Sequence, residues 1–264
     1  MKRKNGDDDV FGFGQLIGIL KKNPKKIVFT EGEDPRILEA SSRLLASYFL
    51  HPILIGDEKR IADAAEESGF NIRGAEIIDP EKFDKIDEMV ELYCELRKKK
   101  GVTPDQAREI LKQANYFGTM LVKMGFADAL LGGATYSTAD TVRPALQLIK
   151  TKPGNNLVSS CFILVRPSAT GDNEVLAMGD CAININPTED DLVEIAGETA
   201  KCARIFDVDP KIAFLSYSTH GSGKGEAVDK MRNAAQKTKE KYPDLPIDGE
   251  LQFDAAVSLS LIHI

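Results

Sequence analysis

The sequence predicts an α/β fold in two domains with a largely parallel sheet, and three observations point to it. Short apolar runs alternate with helix-period segments along most of the chain. The Pro153-Gly154 pair interrupts that alternation. Beyond it, 157–165 and 175–179 follow one another as strand-like runs with no helix between them, the pattern of an antiparallel pair. The expected domains are therefore 1–150 and 151–258.

In chain order, 26–30 reads as a strand. Residues 35–48 read as a helix with Asp34 as N-cap, Pro35 at N1, and Ile37, Leu38, Leu44 and Leu45 on one face. A strand at 52–55 closes at Gly56-Asp57, a helix covers 58–68, and a short strand follows at 76–78. Residues 84–100 read as one long amphipathic helix stopped by Gly101. Thr103-Pro104 opens another helix, 116–124 a third, and the strand 129–131 runs into Gly132-Gly133 and a helix over 138–149. After the junction comes a helix over 188–206, with Thr188 as N-cap and Asp190 and Asp191 in its first turn. A strand at 211–215, a small-residue loop at 216–225, a helix at 226–241 and a helix start at 254–258 complete the pattern. The segment 259–264 resembles a translated sequencing adapter, and the expectation is a scar to be set aside.

Composition narrows the function classes. The chain of 264 residues is 42% hydrophobic and 28% charged, enough apolar matter for a core and too much for disorder. Lys and Arg total 34 against 41 Asp and Glu, a net charge of −7 that disfavours a general nucleic-acid binder. Any bound anion must be held by local groups against that field. The longest apolar runs are too short to span a bilayer, and no secretory leader is expected. Cys94, Cys161, Cys181 and Cys202 form no Cys-x-x-Cys pair and have only three histidines to complement them, so no metal site is expected. Unpaired thiols fit a reducing cytoplasm, and Cys161 and Cys202 read as small core residues.

Two segments follow strands and are rich in hydrogen-bond donors, at the sheet edge where α/β proteins bind ligands. In the first, Gly132 and Gly133 turn the backbone, the hydroxyls of Thr135, Ser137, Thr138 and Thr141 gather near a helix start, and Arg143 follows one turn in. A plain N-cap needs one hydroxyl, and four are supplied; the bland alternative is a Ser/Thr cap with Arg143 paired to Asp140. The second runs from Ser216 to Gly225. It is no P-loop, because Ser218 and Gly225 stand where that motif needs Gly and Ser or Thr. The glycine spacing is no dinucleotide fingerprint either, and His220 alone is weak ground for a general base. Arg97-Lys-Lys-Lys100 ends a helix, where cations suit the dipole and phosphate binding is the sharper alternative.

Five stretches taken jointly carry a resemblance: Phe29-Thr-Glu-Gly-Glu-Asp-Pro-Arg36, Glu95-Leu-Arg-Lys98, Ser137-Thr-Ala-Asp-Thr-Val-Arg-Pro144, Leu215-Ser-Tyr-Ser-Thr-His-Gly-Ser222 and Asp248-Gly-Glu-Leu-Gln-Phe-Asp-Ala-Ala256. From about 24 to 258 the chain resembles the phosphate acetyltransferase branch of the phosphate acetyl/butyryl-transferase family. The resemblance implies reversible acetyl transfer between acetyl-CoA and inorganic phosphate, giving acetyl phosphate and CoA. It implies two three-layer αβα domains of the isocitrate/isopropylmalate dehydrogenase kind with the site in the cleft between them. It also implies no tightly bound cofactor, no metal, coenzyme A as substrate, and a homodimer. By the resemblance, Arg97 and Arg143 hold coenzyme A, while Ser137, Thr141, Arg143, Ser218 and Thr219 hold the phosphate-bearing substrate. The family's base and oxyanion-stabilising groups lie in a late Ser-Arg segment followed by Asp, expected beyond 258. The expectations are then a fold incomplete at its C-terminal end, without the segment returning to the first domain, and an inactive 264-residue chain. A non-catalytic regulatory domain of the same type, as in malic enzymes, is the alternative.

Overall fold

Successive residues of the first strands point to opposite faces, and both faces are apolar. Val28, Ile53 and Ile55 enter one core, whereas Ile27, Phe29 and Leu54 enter another. A sheet apolar on both sides must be covered on both sides, which a parallel sheet with crossover helices achieves. The computed structural model describes residues 13–167 and 173–258, so the segment 259–264 lies outside the described residues. The chain divides into two compact units, Ile17–Lys150 and a second that joins the described residues before Ile17 to those from Thr151 onward, so the first unit starts later than the expected 1–150.

The unit Ile17–Lys150 is that parallel sheet. Strands β1 (Lys25–Phe29), β2 (Leu50–Ile55), β3 (Glu76–Ile78) and β4 (Ala129–Leu131) lie in the order β3-β2-β1-β4, every pair parallel. Helices α2 (Pro35–Ser47) and α3 (Glu58–Ser68) bury Ile37, Leu38, Ile61 and Ala65 with Phe29 and Leu54. The opposite core gathers α4 (Ile86–Leu96), α5 (Pro104–Leu111), α6 (Ala114–Lys123) and α7 (Thr138–Leu148) through Met89, Tyr93, Leu111, Phe117, Met120 and Leu148. Truncating a fully buried member such as Phe117 to Ala removes about 3–5 kcal/mol.

The caps read from the sequence are in place. The Asp34 carboxylate accepts from Arg36 N–H and Thr103 forms a capping box with Gln106; Asp57, expected only to close the preceding strand, also caps its helix by accepting from Arg60 N–H. The long helix expected over 84–100 is shorter and broken. Arg97 leaves helical geometry, and Lys98–Lys100 tighten into a 3₁₀ turn before Gly101 ends the segment with positive φ. A 3₁₀ turn is a common way for an α-helix to end, and here it runs directly into the left-handed Gly101 cap.

In the second unit, β5 (Cys161–Pro167) and β6 (Asn173–Gly179) form the expected antiparallel pair, with Cys161 opposite Gly179. The first strand begins at 161 rather than 157. Helix α8 (Glu189–Ile205) carries a Thr188–Asp191 capping box. Strand β7 (Ile212–Leu215) pairs in parallel with β8 (Ile247–Leu251), and α9 (Glu226–Lys241) packs Ala234 and Ala235 with Phe214 and Leu192. A short α10 (Phe253–Val257) follows. Two elements were not read from the sequence. One is α1 (Phe13–Lys22), whose Gly14 and Gly18 weaken the helical signal; the other is β8, whose interior Asp248-Gly249-Glu250 hides its strand character. Among the described residues, no helix is long and apolar enough to cross a membrane.

Candidate functional site

The first donor-rich loop is folded around a carboxylate of the protein itself. Glu31 follows β1 and is 8% exposed. Its Oε2 accepts from Gly133 N–H at 3.0 Å and Ala134 N–H at 3.1 Å. Its Oε1 accepts from the Thr135 hydroxyl at 2.8 Å, from Tyr136 N–H at 3.3 Å and from Thr135 N–H. Successive amides converging on one anion make an anion nest. Burial pushes the Glu31 carboxyl up, but the hydrogen bonds from Thr135, Ala134 and Gly133 outweigh it and hold it below its ordinary value. Gly132 lets the loop pass close to β1: a Cβ there would stand 2.6 Å from Thr30 Oγ1.

Beyond the nest, Ser137 caps α7. Its hydroxyl accepts from Asp140 N–H at 3.2 Å and donates to Asp140 Oδ2 at 2.6 Å. The Thr141 hydroxyl donates to Ser137 O at 3.4 Å, and Arg143 Nη1 stands 3.7 Å from Asp140 Oδ1. Three of the four hydroxyls that suggested a ligand site therefore have local structural work: Thr135 at Glu31, Ser137 at the cap, and Thr141 at the first turn. Ser137 and Arg143 remain exposed, and Thr141 is half-buried.

Arg143 precedes Pro144, which lies inside α7 and has no N–H for the Asp140 carbonyl one turn back. Asn115, at the start of α6, fills the gap: its Nδ2 donates to Asp140 O at 2.8 Å. Helix α4 also lies against α7. The Tyr93 and Tyr116 rings meet edge-on at 6.4 Å, and the Tyr116 hydroxyl reaches Gln147 Oε1 at 3.4 Å. Arg97, at the end of α4, is half-buried, and its Nε is buried with no hydrogen-bond partner among the described residues. The helices carrying Arg97 and Arg143 are thus packed together. A guanidinium nitrogen left unpaired in this way is a charge-assisted donor available to an anion.

The second loop repeats the first one's plan. Glu250, on β8, is 1% exposed. Its Oε1 accepts from the Ser218 hydroxyl at 3.0 Å, Gly221 N–H at 2.7 Å and Arg232 Nη2 at 3.1 Å. Its Oε2 accepts from Arg232 Nε at 2.9 Å. These bonds, Arg232's foremost, pull the Glu250 carboxyl down to about 2. Ser218, expected to meet substrate, is fully buried instead: its hydroxyl donates to Glu250 and accepts from Gly223 N–H at 2.9 Å, which organises the loop. Thr219 is half-buried, and its hydroxyl accepts from Gln252 N–H at 2.9 Å. His220 is exposed, with Nε2 3.7 Å from Asp248 Oδ2.

Neither Glu31 nor Glu250 was singled out from the sequence. Each sits next to glycine at or just past the carboxyl end of a strand, inside a stretch that carries the resemblance, and that was the available signal. A cleft of about 750 Å³ opens at the carboxyl ends of β1, β2 and β3, bordered by Glu31, Asp57, Arg60, Lys82, Lys112 and Tyr136. Its charges are largely paired within the lining: Arg60 with Glu33 at 2.7 Å, and Lys82 with Asp57 and Asp79 at 3.1 and 2.8 Å. Of the hydroxyls and arginines expected to bind ligand, Thr135 borders it, whereas Arg97, Ser137, Thr141, Arg143, Ser218 and Thr219 do not. Among the described residues, no group of three or more His, Cys, Asp or Glu is placed to hold a metal ion.

The family described as Phosphate acetyl/butaryl transferase matches residues 13–263. The chain is 49% identical over 231 residues to a phosphate acetyltransferase of Bacillus subtilis, covering 88% of this chain and 70% of that protein. It is 44% identical over 239 residues to one from Clostridium acetobutylicum, covering 90% and 72%. Among solved structures it is similar to a phosphotransacetylase from Streptococcus pyogenes, with a TM-score of 0.87 and 46% identity, covering 96% of this chain and 76% of that one.

Proposed function

The chain belongs to the phosphate acetyl/butaryl transferase family, and from that premise we propose that it serves reversible acetyl transfer between acetyl-CoA and inorganic phosphate, giving acetyl phosphate and CoA. The observation that carries the site assignment is the unpaired buried Nε of Arg97 on a helix packed against the helix of Arg143. Coenzyme A presents a pyrophosphate and a 3′-phosphate, and an acidic protein needs placed guanidinium groups to hold them. In this reading Arg97 and Arg143 grip coenzyme A. Ser137 and Thr141 supply hydroxyl donors to the phosphate-bearing substrate, with Arg143 beside them. In the second loop, Thr219 offers a hydroxyl to a phosphate-bearing ligand, while Ser218 acts through Glu250 by holding that loop's shape. No tightly bound cofactor is needed.

The attacking thiol must lose its proton, and the tetrahedral oxyanion must be stabilised. The proposal assigns both tasks to the family's Ser-Arg segment and the Asp that follows it, and assigns Arg97, Arg143 and the nearby hydroxyls to holding the ligands. The same reading takes the two units as αβα domains of the isocitrate/isopropylmalate dehydrogenase type, in a cytoplasmic homodimer. Free cysteines and the apolar Phe162 and Leu164 exposed on the β5–β6 hairpin support those last two points.

Calorimetric titration with CoA and an acetyl-exchange assay test the proposal separately. CoA binds the chain, and Arg97→Ala and Arg143→Ala each weaken it by about 10-fold or more. Unchanged affinity in both variants refutes the site. An acetyl-exchange rate that neither substitution lowers refutes the acyl-transfer reading of the site.

A further inference from the structure

Cys161 and Cys202 have no part in the site above, yet the fold brings them together. Cys161 opens β5 and stands opposite Gly179 of β6. Gly179 lacks a side chain where α8 passes: a Cβ there would collide with Thr199 Oγ1 and lie 3.2 Å from Ile195 Cγ2. Helix α8 therefore sits close on the hairpin at Thr199. Cys202, three residues further and on the same side of the helix, reaches the neighbouring strand. Its Sγ is 2.9 Å from Cys161 Sγ, with Cys161 as donor. Closing that gap to a disulfide bond takes a movement of about 0.9 Å.

We propose that Cys161 and Cys202 are an oxidisable dithiol that closes an intramolecular disulfide between the hairpin and α8, with a peroxide as oxidant. Both thiols are free and half-buried, which favours a small oxidant over a bulky one. Burial, then the hydrogen bond to Cys202, pushes the Cys161 thiol up to about 12, so it keeps its proton and points it at Cys202. Cys202 is then the attacking sulfur. It bonds to one peroxide oxygen and its proton passes to solvent. The O–O bond breaks, and the leaving hydroxide takes up a proton as water. The Cys161 sulfur next attacks the Cys202 sulfenic acid, the S–O bond breaks, and the departing hydroxide leaves with the Cys161 proton as a second water. Two thiols lose two electrons and two protons, and hydrogen peroxide becomes two waters. Cys181 is the competing partner, held 3.6 Å from Ser160 Oγ and 3.7 Å from Ser160 O.

The 264-residue chain is treated with stoichiometric hydrogen peroxide, alkylated and mapped without reduction. Its mass falls by two hydrogens, the Cys161 and Cys202 peptides are linked, and Cys94 and Cys181 remain alkylatable. Because the new bond ties residues 41 positions apart, Tm rises by about several degrees and returns on reduction with dithiothreitol. In Cys161→Ser, dimedone traps a sulfenic acid at Cys202; in Cys202→Ser, Cys161 stays unmodified. The mapping of the unsubstituted chain decides the matter even if a serine variant fails to fold. A link through Cys181, a link between chains, or both thiols still alkylatable after peroxide overturns the proposal.

Discussion

At the scale of single residues, two carboxylates do the organising. Glu31 accepts five hydrogen bonds, four of them from the amides of Gly133, Ala134, Thr135 and Tyr136. Glu31→Gln turns one acceptor into a donor facing those amides, and the expected loss is about 2 kcal/mol in urea unfolding. Glu250 offers a sharper test because of its pH dependence. Its folded pKa, about 2, lies below the ordinary 4.5, so the unfolded chain binds the proton more readily. The stability it contributes is complete above about pH 4.5 and drains away as pH falls toward about 2. Glu31 adds to the same slope, since it too is held low. Glu250→Gln therefore costs about 2 kcal/mol near neutral pH and flattens the acid slope of the unfolding midpoint. An equal slope in variant and parent contradicts this assignment.

At the scale of elements, the interior proline of α7 is a docking device. Pro144 leaves the Asp140 carbonyl without its helical donor, and Asn115 of α6 uses it. Asn115→Ala should cost about 1 kcal/mol, and less in a Pro144→Ala background, where residue 144 can donate the missing bond itself. A double-mutant cycle with no coupling rules out the link. Much of this layer was legible in advance. Asp34-Pro35, Thr103-Pro104 and Thr188 announce their helices because capping is local, decided within three or four residues. The two carboxylate cradles were not legible. Glu31 meets Thr135 across 104 positions and Glu250 meets Ser218 across 32, and no periodicity encodes such a pairing. Arg97 and Arg143 were found, whereas the burial that makes Arg97 informative depends on how α4 ends. The donor count at 135–141 overstated the ligand site because the fold itself uses three of the four hydroxyls.

At the scale of the whole molecule, the second unit presents an apolar hairpin face. Phe162 and Leu164, two residues apart and so on one face of β5, are 52% and 43% exposed. Their cross-strand partners are Met178 and Leu176, so the face is apolar on both strands. A two-stranded ribbon has too little cover to shield it, and burying a pair of such side chains contributes about 2–4 kcal/mol per copy. A symmetric contact between two copies would bury the face twice, the arrangement most oligomers adopt. Sedimentation equilibrium should therefore show a dimer at micromolar concentration. Leu164→Lys places a charge in the contact and should shift the chain to monomer, with the CoA affinity set by Arg97 and Arg143 unchanged. A parent chain that stays monomeric over the whole concentration range, or a Leu164→Lys variant that dimerises as before, removes the hairpin from the interface.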